Sequence, residues 1–177
     1  AQLSVTPADW AALRGGGATA LAELYSDLVV AGMDSSSART QRELSVVLSN
    51  LALALPCERA SIEVAGAEDA LDAAEAECAA LERLEPAACI AAMVEAPHFA
   101  ALQQRAAVRL LAWLDEARGH ARRCAAAADL VGLGAMHALS LGLHRHAATA
   151  PLLSPLLRLA VRLCRGRAAC ALQLHAA

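Results

Sequence analysis

Alanine and leucine dominate this chain so heavily that they settle its secondary structure. Ala occurs 47 times and Leu 30 times in 177 residues, whereas Val occurs ten times, Thr four times and Ile twice. Ala and Leu lead the helix scale, and strands draw on the β-branched and aromatic side chains that are scarce here. The chain is therefore expected to be all-α, which excludes a β-sandwich, a barrel or a Rossmann domain. Its 58% hydrophobic content is far above that of a disordered chain.

The net charge of −3 conceals a split. Residues 1–57 carry −2, residues 58–95 carry −8 and residues 96–177 carry +7. Such a chain presents an acidic surface and a basic one, each able to meet a complementary partner. Six cysteines occur, none with CxxC spacing and most in apolar contexts such as Ala87-Ala88-Cys89-Ile90. Buried thiols in a reducing intracellular compartment are expected, the cytoplasm first, with a ciliary or organellar assembly also compatible. The longest nearly uncharged stretch, Leu130 to Leu143, is shorter than the roughly 20 residues a spanning helix needs. Neither a membrane span nor a secretory signal is expected.

Glycines and prolines cut the chain into helices. Thr6-Pro7-Ala8-Asp9 reads as a capped start, and Gly15-Gly16-Gly17 as a break. Helices are expected over about 18–30, 38–55, 58–64, 67–84, 99–117, 120–129 and 135–143. Ser154-Pro155 reads as N-cap and first-turn proline of a last long helix through Arg165. The order short, long, long recurs three times, with an extra piece over about 85–97. The junctions Gly66-Ala67 and Gly134-Ala135 align, as do the third helices around Arg42, Arg105 and Arg158. These periods define repeats over about 6–55, 56–117 and 118–167, with the start of a fourth at 168–177.

The first repeat ends in Ser49-Asn50-Leu51-Ala52, and CERASIEVAG follows over 57–66. This resembles the armadillo repeat, whose unit is a short helix, a glycine, a second helix and a third helix ending in such a motif; HEAT repeats are the near neighbour. The resemblance spans almost the whole chain and is closest over 38–71. It implies a single armadillo-like domain over 1–177, a right-handed α-solenoid of about three repeats. A lone repeat cannot bury its apolar face, so neighbours must stack.

In that family the third helices line a concave groove, and an Asn at the place of Asn50 grips an extended peptide. The resemblance therefore implies a groove formed by Arg42, Asn50, Arg105, Arg109, Trp113, Arg158 and Arg162. Arg105, Arg109 and Trp113 fall at i, i+4 and i+8, one stripe of a helix. Arginine forks suit carboxylates, so an acidic segment is the expected occupant. The competing reading makes these arginines the solvated face of amphipathic helices. Only the first repeat keeps the Asn.

The acids of 68–85 and the histidines His137, His144 and His146 read as surface groups, with no metal-ligand spacing. His120, Arg122 and Arg123 form a local basic spot. No P-loop or nucleophile elbow occurs, and two Trp, one Tyr and one Phe are few for stacking on bases. The expected function is a non-catalytic protein-interaction scaffold, without catalytic residues, metal or cofactor. It would be a structural subunit whose repeat ends meet neighbouring subunits, in keeping with a mean hydropathy of +0.42. Alternatives are a groove for an acidic extended peptide, an all-helical enzyme and a nucleic-acid-binding helical repeat.

Overall fold

The computed structural model describes residues 17–30, 35–147 and 149–165. The described residues are all-helical, with nine α-helices, one 3₁₀ turn and no strand. The expected start at Thr6-Pro7 and the pieces beyond Arg165 lie outside the described residues. The helices are α1 (Gly17–Val30), α2 (Ser35–Ala54), α3 (Pro56–Val64), α4 (Glu68–Ala80), α5 (Pro86–Glu95), α6 (Ala100–Glu116), α7 (His120–Gly132), α8 (Ala135–Arg145) and α9 (Ala150–Cys164). The chain divides into two compact units, and the division falls inside α4, after Glu77.

In the first unit α1 packs on α2 and α3, and α2 packs on α3. Ala18, Ala22 and Tyr25 share one face of α1 and meet Leu48, Leu51 and Ile62. Two alanines on that face let the helices approach closely at no cost in side-chain entropy. Pro56 opens α3, where its missing N–H has no intrahelical partner to lose. Gly66, at φ +79°, closes α3: its N–H donates to the Glu63 carbonyl, and that of Ala67 donates to Ile62. This pair of bonds is a Schellman ending, which needs a left-handed residue at that place. The Ser26 hydroxyl on α1 lies 3.2 Å from the Gly66 carbonyl and ties α1 to this turn.

The second unit contains two helical hairpins. α5 packs on α6 and α8, while α9 packs on α6 and α8. Asp115 in the last turn of α6 pairs with Arg162 in the last turn of α9, so these two helices run in the same direction. The hairpins repeat at a fixed spacing. Buried Pro86, Cys89, Ile90 and Met93 on α5 match buried Ala135, Ala138, Leu139 and Gly142 on α8 at a spacing of 49 residues. On α6 and α9, Gln103, Ala106, Ala107, Leu110, Leu111 and Leu114 match Leu152, Pro155, Leu156, Leu159, Ala160 and Leu163 at the same spacing. Abundant apolar side chains fill this seam, with Phe99 among the largest fully buried ones.

Four expectations are corrected here. The stretch over 85–97 is no extra piece, because α5 occupies the place opposite α8. The third helices match one turn away from the alignment expected, so Arg109 stands level with Arg158, and Trp113 with Arg162. A shift of four residues nearly preserves a helix face, and the helix bounds decide between the two registers. The helix expected through Leu84 stops at Ala80 and tightens into the 3₁₀ turn Leu81–Arg83 ahead of Pro86. The last helix starts at Ala150 rather than Ser154, with Pro151 in its first turn and Pro155 in its interior.

Candidate functional site

The residues expected to form a groove divide between the two units. Arg42 and Asn50 belong to α2 in the first unit, and the other five belong to α6 and α9 in the second. Each unit is best read from its own contacts.

Arg42 is exposed and makes a two-pronged contact with Glu77, 2.6 Å from Nη2 to Oε1 and 3.3 Å from Nε to Oε2. That hydrogen-bonded carboxylate raises the guanidinium pKa above its ordinary value, with partial burial opposing it. Asn50 is half-buried near the end of α2.

In the second unit Arg105 pairs with Glu82 at 3.0 Å, Arg109 with Glu116 at 3.2 Å and Arg162 with Asp115 at 2.6 Å. The Arg109 Nε is buried and meets no hydrogen-bond acceptor. Trp113 is half-buried on α6. Arg158 is exposed and pairs with no described acid. Beside these arginines the repeat leaves matching apolar positions in solvent: Val108 is 51% exposed and Leu157, its equivalent, 50%. The face joining α6 and α9 is thus mixed, and most of its positive charge is already met by carboxylates of the same unit.

The acids expected along 68–85 turn out to serve these arginines in part. Glu77 and Glu82 each hold one, and the others described lie mostly on exposed positions. His137 and His144 are exposed as expected, but His146 is buried, with Nε2 at 2.9 Å from the Pro97 carbonyl. Burial pushes its imidazole pKa down, the backbone bond pulls it up, and His98 and Arg145 push it down further. Among the described cysteines Cys78 and Cys89 are buried as expected, whereas Cys57 and Cys124 are exposed. Burial pushes the Cys89 thiol up, against the pull of Arg109. Among the described residues no group of three or more His, Cys, Asp and Glu is placed to hold a metal ion.

One constellation went unrecognised in the sequence. His120, Arg123 and Cys124 on α7 meet Arg162 and Arg165 at the end of α9 around a cleft of about 300 Å³. Each half had a signal: His120 and Arg123, like Arg162 and Arg165, are three apart and share a helix face. That the two halves face one cavity follows from the packing of α9 on α7, which no local pattern encodes.

No single described helix is long and apolar enough to cross a membrane; α7 and α8 together would be, but they bend by 70° at their junction. Comparison with family models, with curated proteins and with solved structures finds no match for this chain.

Proposed function

We propose that this chain is a non-catalytic helical-repeat scaffold, an armadillo-like right-handed α-solenoid that serves as a structural subunit of a larger protein assembly. The observation that carries this reading is the 49-residue recurrence of a two-helix hairpin in the second unit, with α6 and α9 running the same way. Hairpins related by a shift along one axis are how repeat proteins build a continuous core. Exposed Val108, Leu157 and Val161 add apolar surface of the kind that neighbouring subunits cover. Exposed Cys57 accords with a reducing intracellular compartment.

A second reading, a groove for an acidic extended peptide, draws support from Arg158 in solvent and from the unsatisfied Arg109 Nε. Against it, Arg42, Arg105, Arg109 and Arg162 already hold carboxylates. Exposed pairs of this kind contribute about 0–1 kcal/mol, so a peptide could displace them. Their acids nonetheless cancel the long-range attraction that would bring an acidic peptide in.

A pull-down from native extract tests both readings, with the tagged chain beside an Arg105→Glu/Arg109→Glu/Arg162→Glu variant. The scaffold reading expects the same set of complex subunits with both proteins. A single acidic partner lost with the variant would replace it by the groove. A tagged chain that recovers no protein at all would overturn both.

A further inference from the structure

The cleft between α7 and α9 is open to chemistry that a scaffold does not need. Its lining includes three arginines, Arg123, Arg162 and Arg165, with His120 beside them and no carboxylate. Of the three arginines only Arg162 has a described carboxylate beside it, that of Asp115 at 2.6 Å, and the other two are left to solvent or a bound anion. Arg123 is held by its stem: Nε donates to the Ala117 carbonyl at 3.1 Å, and its two terminal nitrogens have no partner among the described residues. The Arg165 guanidinium makes no ion pair with a described residue. Two of the arginines that line the cleft thus carry positive charge that no described carboxylate meets.

Those two charges match a phosphate monoester, which carries about −1.5 to −2 at neutral pH. A carboxylate is a planar monoanion that one arginine fork satisfies, so three forks exceed what it needs. A phosphoryl group presents three terminal oxygens, one for each fork. The cavity of about 300 Å³ is at the small end of ligand sites, roughly 300–1,000 Å³. Its floor is apolar, formed by buried Leu114 and Ala127, and offers contact to carbon rather than to a bare ion. We propose that the cleft binds a small organic phosphate monoester, its phosphoryl group held by Arg123, Arg165 and Arg162 and its organic part resting on Leu114 and Ala127. The site is independent of the scaffold reading.

Calorimetric titration of the full chain with phenyl phosphate tests this, with inorganic phosphate, phenol and a phosphoserine peptide as parallel ligands. Phenyl phosphate is expected to bind more tightly than inorganic phosphate, and phenol not to bind. Arg123→Gln and Arg165→Gln should each weaken phenyl phosphate about tenfold or more, the scale of a charge-assisted hydrogen bond. Both side chains are exposed, so helix content by circular dichroism should not change. Asp115→Asn should strengthen binding several-fold by freeing Arg162, a gain that misfolding cannot imitate. The proposal is overturned if phenyl phosphate does not bind at millimolar concentration, or if phenol binds as well. It is equally overturned if all three variants bind as wild type does. Tight binding of the phosphopeptide without phenyl phosphate would overturn the small-molecule source and place a phosphorylated protein there instead.

Discussion

His146 Nε2 donates a hydrogen bond of 2.9 Å to the carbonyl of Pro97, 49 residues or one hairpin spacing earlier in the chain. The bond joins the end of α8 to the α5–α6 turn, so it staples one hairpin to the next. The neutral ring must carry its proton on Nε2 to make it. Because burial lowers the folded pKa below the ordinary 6.5, the unfolded state binds more protons between the two values. Stability is therefore complete above about 6.5 and falls as pH drops through the lowered folded value. Melting temperatures measured from pH 8 to pH 5 should show this loss in the wild type and a shallower one in His146→Gln. At neutral pH His146→Ala should cost about 1–3 kcal/mol, the penalty of a half-buried carbonyl left unpaired. Equal pH slopes for wild type and variant would remove His146 from this role.

Gln103 and Gly142 meet in a tight steric contact between the hairpins, where the buried Gln103 Oε1 accepts no hydrogen bond. Gln103 is fully buried, and its Nε2 donates to the carbonyls of Met93 and Ala96, at 2.7 and 3.1 Å, closing the end of α5. A Cβ on Gly142 would stand 2.9 Å from Gln103 Oε1 and 3.3 Å from Leu156 Cδ1. Ala in place of a mid-helix Gly gains about 1 kcal/mol of propensity. Overpacking a filled core costs about 1–3 kcal/mol, and the two bonds of Gln103 prevent it from moving aside. Gly142→Ala should therefore destabilise in urea unfolding despite the better helix former. In a Gln103→Ala background the same change should become neutral or stabilising, and that reversal separates the clash from any other cause.

The exposed ion pairs should matter little to stability. For Arg162 and Asp115, whose side chains are 39% and 54% exposed, a double-mutant cycle to alanine should give a coupling of about 0.2–1 kcal/mol. It should fade near 1 M salt, where the screening length is about 3 Å. A coupling that survives at high salt would show that the pair is shielded from solvent.

What the sequence disclosed and what it hid divide along physical lines. Local signals were readable. The helix expected to end before Pro56 does so, at Ala54, and Gly66 and Gly134, at φ +79° and +91°, both close one, as their shared Gly-Ala junctions suggested. The phase of the repeat was not. Arg105 and Arg109 resemble Arg158 and Arg162 so closely that they pulled the alignment one turn away from the register set by helix bounds. A 3.6-residue period hides such a slip, because four residues return the chain to nearly the same face. His146 was equally hidden: its burial depends on Pro97 in another hairpin, and its own neighbours His144 and Arg145 look like surface. The arginine cleft failed for the same reason, since its two halves are joined only by tertiary packing.

Pro155 misled the reading of α9, and it makes a separate prediction. It lies inside the helix, so the Pro151 carbonyl loses the N–H that would otherwise donate to it, and the ring crowds that turn. A proline at such a position is about 3 kcal/mol worse than alanine. The ring is buried against the hairpin seam, and trimming it to a methyl forfeits about two methylenes, near 1.6 kcal/mol. The backbone term is the larger, so Pro155→Ala should stabilise the second unit by about 1 kcal/mol in urea unfolding. Amide hydrogen exchange should also slow at residues 156–159, next to the bond that the helix regains. If the variant is instead destabilised, the packing of the proline ring outweighs the backbone bond, and Pro155 is held in place by its contacts at the seam.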